Sequence, residues 1–219
     1  MSAPGSDTTD EASATRPRHF SMIRGFHLAD VFTLGNAACG FAAVLMAMRS
    51  LATGGVDDLL IAAAFAPAAL VFDVLDGRIA RWRQTSSALG RELDSLADVI
   101  SFGVAPAALA FACGARGGWD AVVLVYFVCC GVSRLARYNV TAEAMSAEAG
   151  KVTYFEGTPI PTSVVPTAIL ASAAWQGRIG ERLFAGVWSI AGIDLHPLVL
   201  LFALSGTLMV SKTLRIPKL

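Results

Sequence analysis

Asp73, Asp76, Asp94 and Asp98 are four carboxylates on stretches otherwise apolar enough to lie in a bilayer. Asp73 and Asp76 are three residues apart, so on a helix they share one face with about 4.5 Å of rise between them. Asp94 and Asp98 are four apart and share a face one turn long. Between the pairs, Gln84, Thr85, Ser86 and Ser87 form a polar turn. Such a turn folds the second helix back on the first and gathers the four carboxylates around one small volume. An ionised carboxylate at membrane depth costs about 2.5–3.5 kcal/mol even on the lenient insertion scale. Four together call for compensating positive charge. Two Mg²⁺ or Mn²⁺ ions about 3.5–4 Å apart, held by oxygen ligands with room for a phosphate between them, meet that demand.

The residues between the aspartates fit the same chemistry. Gly77, Ala80 and Gly90 leave space where a bulky side chain would keep a ligand from the metals. Arg81, just over one turn beyond Asp76, can bind phosphate or neutralise a carboxylate. Upstream, Gly35 and Gly40 allow close helix packing, and Asn36 between them offers an amide to a ligand. A lone aspartate pair at a helix end is usually a solvated charge, and Arg83 and Arg91 read as topology signals. The full pattern is different in kind. It runs D-x-x-D-G-x-x-A-R from Asp73 to Arg81, then a spacer, then G-x-x-x-D-x-x-x-D from Gly90 to Asp98.

These residues need membrane helices to position them. Of the 219 residues 55% are hydrophobic and 16% charged, and the mean hydropathy is +0.59. Those values point to an all-α integral membrane protein rather than a soluble domain. Apolar windows predict a bundle of six transmembrane helices, near residues 29–50, 58–80, 94–113, 119–138, 160–175 and 196–212. Of the seventeen Lys and Arg, Arg49, Arg116, Arg178 and Arg182 fall on one side of this topology and the rest on the other. By the positive-inside rule both termini and the aspartates are then cytosolic. Residues 1–19, polar and without an apolar core, read as a disordered cytosolic tail and not as a cleavable signal. Phe20, Ile23 and Phe26 interleave with Arg18, Arg24 and His27, which predicts a juxtamembrane amphipathic helix. Residues 20–219 form one membrane domain. Cys39, Cys113, Cys129 and Cys130 sit in apolar stretches without metal-type spacing and read as small hydrophobes. The formal net charge of zero gives no basis for a nucleic-acid partner.

The complete aspartate pattern resembles the signature of the CDP-alcohol phosphotransferases, integral-membrane enzymes that make phospholipids from CDP-activated precursors. Further blocks resemble the phosphatidylserine synthase branch. They are T-L-G-N-A-A-C-G-F from Thr33, E-L-D-S-L-A-D-V-I-S-F-G-V-A-P-A from Glu92, R-L-A-R-Y-N-V from Arg134 and Y-F-E-G-T-P-I-P from Tyr154. The resemblance implies a six-helix bundle, usually a homodimer, that uses two divalent ions. It implies CDP-diacylglycerol as donor, L-serine as acceptor, membrane lipids as surroundings, and phosphatidylserine and CMP as products. It assigns Asp98 as general base, with all four aspartates around the metal. Asn36, Gly77, Ala80, Arg81 and Gly90 then lie against CDP-diacylglycerol. Arg134 and Arg137, three apart on one helix face, suit the serine carboxylate.

Two alternatives stay open at this stage. A sister enzyme would use glycerol phosphate or inositol phosphate in place of serine. A cation transporter would also place acids in membrane helices, but it explains neither the interleaved glycines nor the apolar run from Leu59 to Phe72. The compact chain suggests a bacterial plasma membrane.

Overall fold

The computed structural model describes residues 28–83, 88–147, 154–211 and 215–217. The N-terminal tail, the amphipathic segment expected over residues 20–27 and the polar turn 84–87 lie outside the described residues.

The first two helices make a tight hairpin. Helix α1 (Leu28–Thr53) and helix α2 (Val56–Arg83) are joined by Gly54 and Gly55 alone. Gly54 takes φ +71°, and its N–H donates to the Ser50 carbonyl at 2.8 Å, closing the end of α1. The α1–α2 contact is the most extensive helix pairing in the molecule. The buried stripe of α1 runs Asp30, Thr33, Asn36, Cys39, Gly40, Ala43, Ala47 and Ser50. Its large apolar residues, among them Val31, Leu34, Phe41 and Met48, face outward. Such a helix buries its small and polar side and presents Leu, Val and Phe to the surroundings. That inversion suits a lipid solvent, where only packing and polar contacts draw helices together.

Helix α3 (Ala88–Asp98) continues through a wide π-turn (Val99–Val104) into α4 (Ala105–Cys113), forming one apolar rod over Leu89–Cys113. The widening has a local cause. Pro106 has no N–H to return to the turn before it, and the Ala105 N–H reaches back five residues to the Ile100 carbonyl. Ser101, Phe102 and Gly103 of this turn are buried. A Cβ on Gly40 would collide with the Ser101 backbone and hydroxyl, so glycine alone lets α1 lie against the turn.

Helix α5 (Gly118–Ala147) runs back along the bundle and leads into strand β1 (Tyr154–Glu156). A short 3₁₀ turn (Ile160–Ser163) opens helix α6 (Val164–Trp175). Strands β2 (Trp188–Ile190) and β3 (Ile193–Leu195) follow, then helix α7 (Leu200–Val210) and strand β4 (Arg215–Pro217). β1 pairs antiparallel with β4, and β2 with β3. The β2–β3 turn has φ of +55° at Ala191 and +76° at Gly192, the left-handed pair that a two-residue hairpin requires. Phe102, Phe127 and Phe202 are fully buried, and the last two meet edge to face at 5.2 Å.

Helices Leu28–Thr53, Val56–Ile79, Leu89–Cys113 and Gly118–Val140 are long and apolar enough to cross a membrane. They match the first four expected spans, the third beginning five residues earlier than predicted. The fifth and sixth expected spans fall on shorter apolar helices, Ile160–Trp175 and Pro197–Val210. The described fold is mostly helical, consistent with the all-α expectation, and adds four short strands between and after the helices. Three-residue strands carry too little alternation to be read in a sequence. Cys39, Cys113 and Cys130 are buried as expected, whereas Cys129 is exposed on the outward face of α5.

The Gly40 contact makes a direct prediction. Gly40→Val should destabilise the fold by about 1–3 kcal/mol through overpacking against Ser101. Thermal unfolding in detergent measures this, and an unchanged midpoint would refute the close-approach role.

Candidate metal centre and active site

Helices α2 and α3, both packed on α1, bring the aspartate pairs together. One carboxylate oxygen from each of Asp73, Asp76 and Asp94 lies within 4.8 Å of the other two. At that spacing two unit charges repel by about 3–4 kcal/mol for an effective dielectric of 20. Asp98 stands one turn beyond Asp94, outside this tight group of three, and is only 7% exposed.

Helix α1 supplies the neutral donors. Thr33 Oγ1 donates to Asp76 Oδ2 at 2.8 Å, and Asn36 Nδ2 donates to Asp98 Oδ1 at 3.1 Å. Positions 33 and 36 share a helix face, so one helix addresses a carboxylate from each pair. Asn36 is itself fixed, because Ser101 Oγ donates to its backbone carbonyl at 2.8 Å. Gly40 therefore acts at a distance: the close approach it permits at Ser101 seats Asn36 against Asp98.

These donors leave the cluster short of positive charge. Asp94 Oδ1 is buried and has no hydrogen-bond partner among the described residues. Three converging hard oxygen ligands, one with an unmet buried acceptor, fit a divalent cation of the Mg²⁺ or Mn²⁺ type. Beside them the chain leaves room, since a Cβ on Gly77 would meet nothing within 4 Å.

The other expected residues divide. Arg81 is exposed and its Nε donates to the Gly77 carbonyl at 2.9 Å, so its guanidinium lies along its own helix. Gly90 is half-buried near the start of α3, and the Ala80 side chain lies outside the described residues. The arginines of α5 part company. Arg134 is half-buried, feels the charge of Asp98, and has a buried Nε without a hydrogen-bond partner. Arg137 is exposed.

Two features went unread in the sequence. Asp30, buried in the first turn of α1, exerts its charge on Asp76. Its spacing of three from Thr33 was the available signal. Asn139 donates to Glu92 Oε1 at 3.3 Å and exchanges hydrogen bonds with Ser95 at 3.0 and 3.2 Å. That network ties α5, and with it Arg134, to the helix that carries Asp94 and Asp98.

The family model described as CDP-alcohol phosphatidyltransferase matches residues 26–207. A CDP-diacylglycerol–serine O-phosphatidyltransferase of Saccharomyces cerevisiae is 41% identical over 219 residues, covering 99% of this chain and 79% of the relative. A protein of the same name from Mycobacterium tuberculosis is 38% identical over 133 residues, covering 59% of this chain and 45% of the relative. An archaetidylserine synthase of Methanothermobacter thermautotrophicus is 35% identical over 141 residues, covering 63% and 54%. The chain thus spans about half the length of the latter two. Relatives in yeast, a bacterium and an archaeon leave the expected bacterial plasma membrane without support. With the family model matched from before α1 into α7, and the aspartates of α2 and α3 converging inside that span, this chain belongs to the CDP-alcohol phosphatidyltransferase family.

Proposed function

We propose that this chain transfers the phosphatidyl group of CDP-diacylglycerol to the hydroxyl of L-serine, giving phosphatidylserine and CMP. The observation that carries this reading is the 41% identity, along nearly the whole chain, to a yeast enzyme named for that reaction. The mycobacterial relative is named for the same serine transfer and the archaeal one for a serine lipid, which favours serine over glycerol phosphate or inositol phosphate.

The chemistry follows from the charges. Asp73, Asp76 and Asp94, with Asp98 beside them, would hold the two Mg²⁺ or Mn²⁺ ions. A metal bound there would supply positive charge to screen the donor diphosphate and the oxygens that exchange at phosphorus. Gly77 leaves the space through which the diphosphate reaches the carboxylates, and Ala80 and Gly90 are assigned to the same donor by the family resemblance. Asp98, oriented by Asn36, accepts the proton of the serine hydroxyl. The serine oxygen bonds to the lipid-linked phosphorus, the phosphorus–oxygen bond to CMP breaks, and CMP departs with the electron pair. Arg134 takes the serine carboxylate through its free donor edge. Arg137 and Arg81, both exposed, serve approach and phosphate contact at the rim.

In the membrane the six apolar helices cross the bilayer with the aspartates at the cytosolic boundary. There a two-tailed donor can enter sideways while serine and CMP exchange with water. The distribution of Lys and Arg supports this orientation. The working unit is a homodimer, as the family resemblance implies.

Four outcomes are expected. Purified protein should release CMP from CDP-diacylglycerol only when both serine and Mn²⁺ or Mg²⁺ are present. Release with glycerol phosphate instead of serine would move the acceptor. Asp94→Asn should weaken Mn²⁺ binding, measured by paramagnetic resonance, and Asp98→Asn should lower kcat about 10²–10⁴-fold. An Asp98→Asn enzyme with full activity would sink the base assignment. Arg134→Gln should raise the serine KM about tenfold while largely sparing kcat, the mark of a lost binding contact. An unchanged serine KM would remove Arg134 from the acceptor site.

A further inference from the structure

A second polar cluster stands at the other end of the bundle. The α3–α4 rod carries Asp98 toward one end and Cys113 at the other, about 22 Å apart by helical rise. Beyond Cys113, Asp120 at the start of α5 is completely buried, at 0% exposure. It accepts three hydrogen bonds: from the Gly117 N–H at 2.8 Å, the His196 N–H at 2.7 Å, and His196 Nδ1 at 2.6 Å. The Asp120 carboxylate thus holds the ring through Nδ1 and orients it. His196 is 5% exposed, and its Nε2 is buried with no hydrogen-bond partner among the described residues.

His196 lines a cavity of about 660 Å³ together with Arg116, Glu181 and Asp194. The walls are backbone laid on backbone. A Cβ on Gly114, at φ +122°, would collide with Gly180, and one on Gly117 would collide with the Asp194 carbonyl. Arg116 is held in place, its Nε and Nη2 donating to the Phe111 and Ala112 carbonyls at 3.2 Å each. The cavity is thus lined by one fixed guanidinium and two carboxylates, Glu181 and Asp194, with the buried His196 ring in its wall.

That charge pattern selects the ligand. A bare cation would have no use for Arg116, and among the described residues the metal-type cluster of three carboxylates lies at the other end of the bundle. A phosphate ester carrying an ammonium group uses both halves. The rim adds a lipid signature. Trp119 donates Nε1–H to the Ile190 carbonyl at 3.2 Å, and Trp119, Trp188, Ile190 and Ile193 are exposed around the β2–β3 hairpin. Tryptophan and aliphatic side chains in this position mark a membrane–water boundary. We propose that this cavity binds the headgroup of an aminophospholipid, the ammonium against Glu181 and Asp194 and the phosphate against Arg116.

The test uses the full chain in detergent, titrated with phosphatidylethanolamine or phosphatidylglycerol and read by native mass spectrometry. Phosphatidylethanolamine should bind at least tenfold more tightly than phosphatidylglycerol. Glu181→Gln and Arg116→Gln, both at exposed positions, should each weaken it about tenfold while serine-dependent CMP release is unchanged. Since His196→Ala also cuts the tether to Asp120, these two variants keep the test independent of folding. Equal binding of the two lipids, or undiminished binding in both variants, overturns the proposal. Soluble glycerophosphoethanolamine should compete at least tenfold more weakly than the lipid, and equal competition would overturn the lipid assignment.

Discussion

The constraint on which the rest of this structure depends is the burial of carboxylates at membrane depth. Each costs several kcal/mol unless compensated, and mutual repulsion adds to the cost when three oxygens lie within 4.8 Å. The protein offsets part of this with neutral donors from α1. Thr33 and Asn36 each reach one carboxylate, and both are inaccessible or nearly so. The remainder is left unmet, as the orphaned Asp94 oxygen shows. An incompletely satisfied cluster is a poor structural element and a good cation site.

The small residues serve that burial. Gly40 brings α1 onto the π-turn, the turn offers Ser101 to the Asn36 carbonyl, and Asn36 holds Asp98. Pro106 contributes by withholding a hydrogen bond, which widens the helix at this point. The local irregularity of the α3–α4 rod and the geometry of the site are thus one feature. The same logic explains why α1 has its large apolar side chains outside. A helix that must carry hydroxyls and amides to buried carboxylates has little room for leucine on that face, and lipid accepts the leucines elsewhere.

The two ends of the bundle treat burial differently. At the aspartate end acceptors outnumber donors. At the far end Asp120 is saturated by three donors from one turn and one loop, and the unmet atom is a ring nitrogen. Glycine junctions at 114 and 117 hold that loop close.

The sequence by itself determined the chemistry of the aspartate end. Spacings of three and four fix which carboxylates share a helix face, and apolar runs of twenty or more residues fix that those helices are membrane-spanning in length. Both are local, periodic properties and survive in any helix of that composition. Tertiary structure alone decided the pairings across the bundle. Thr33 with Asp76, Asn36 with Asp98, Asn139 with Ser95 and Asp120 with His196 join residues 43 to 76 positions apart. It also decided that Arg81 lies along its own helix, that Arg134 turns inward while Arg137 does not, and that Asp30 joins the charge around Asp76. A side chain's spacing tells which face it occupies. Which neighbour that face meets depends on how closely two helices approach, and here Gly40, Gly114 and Gly117 set that distance.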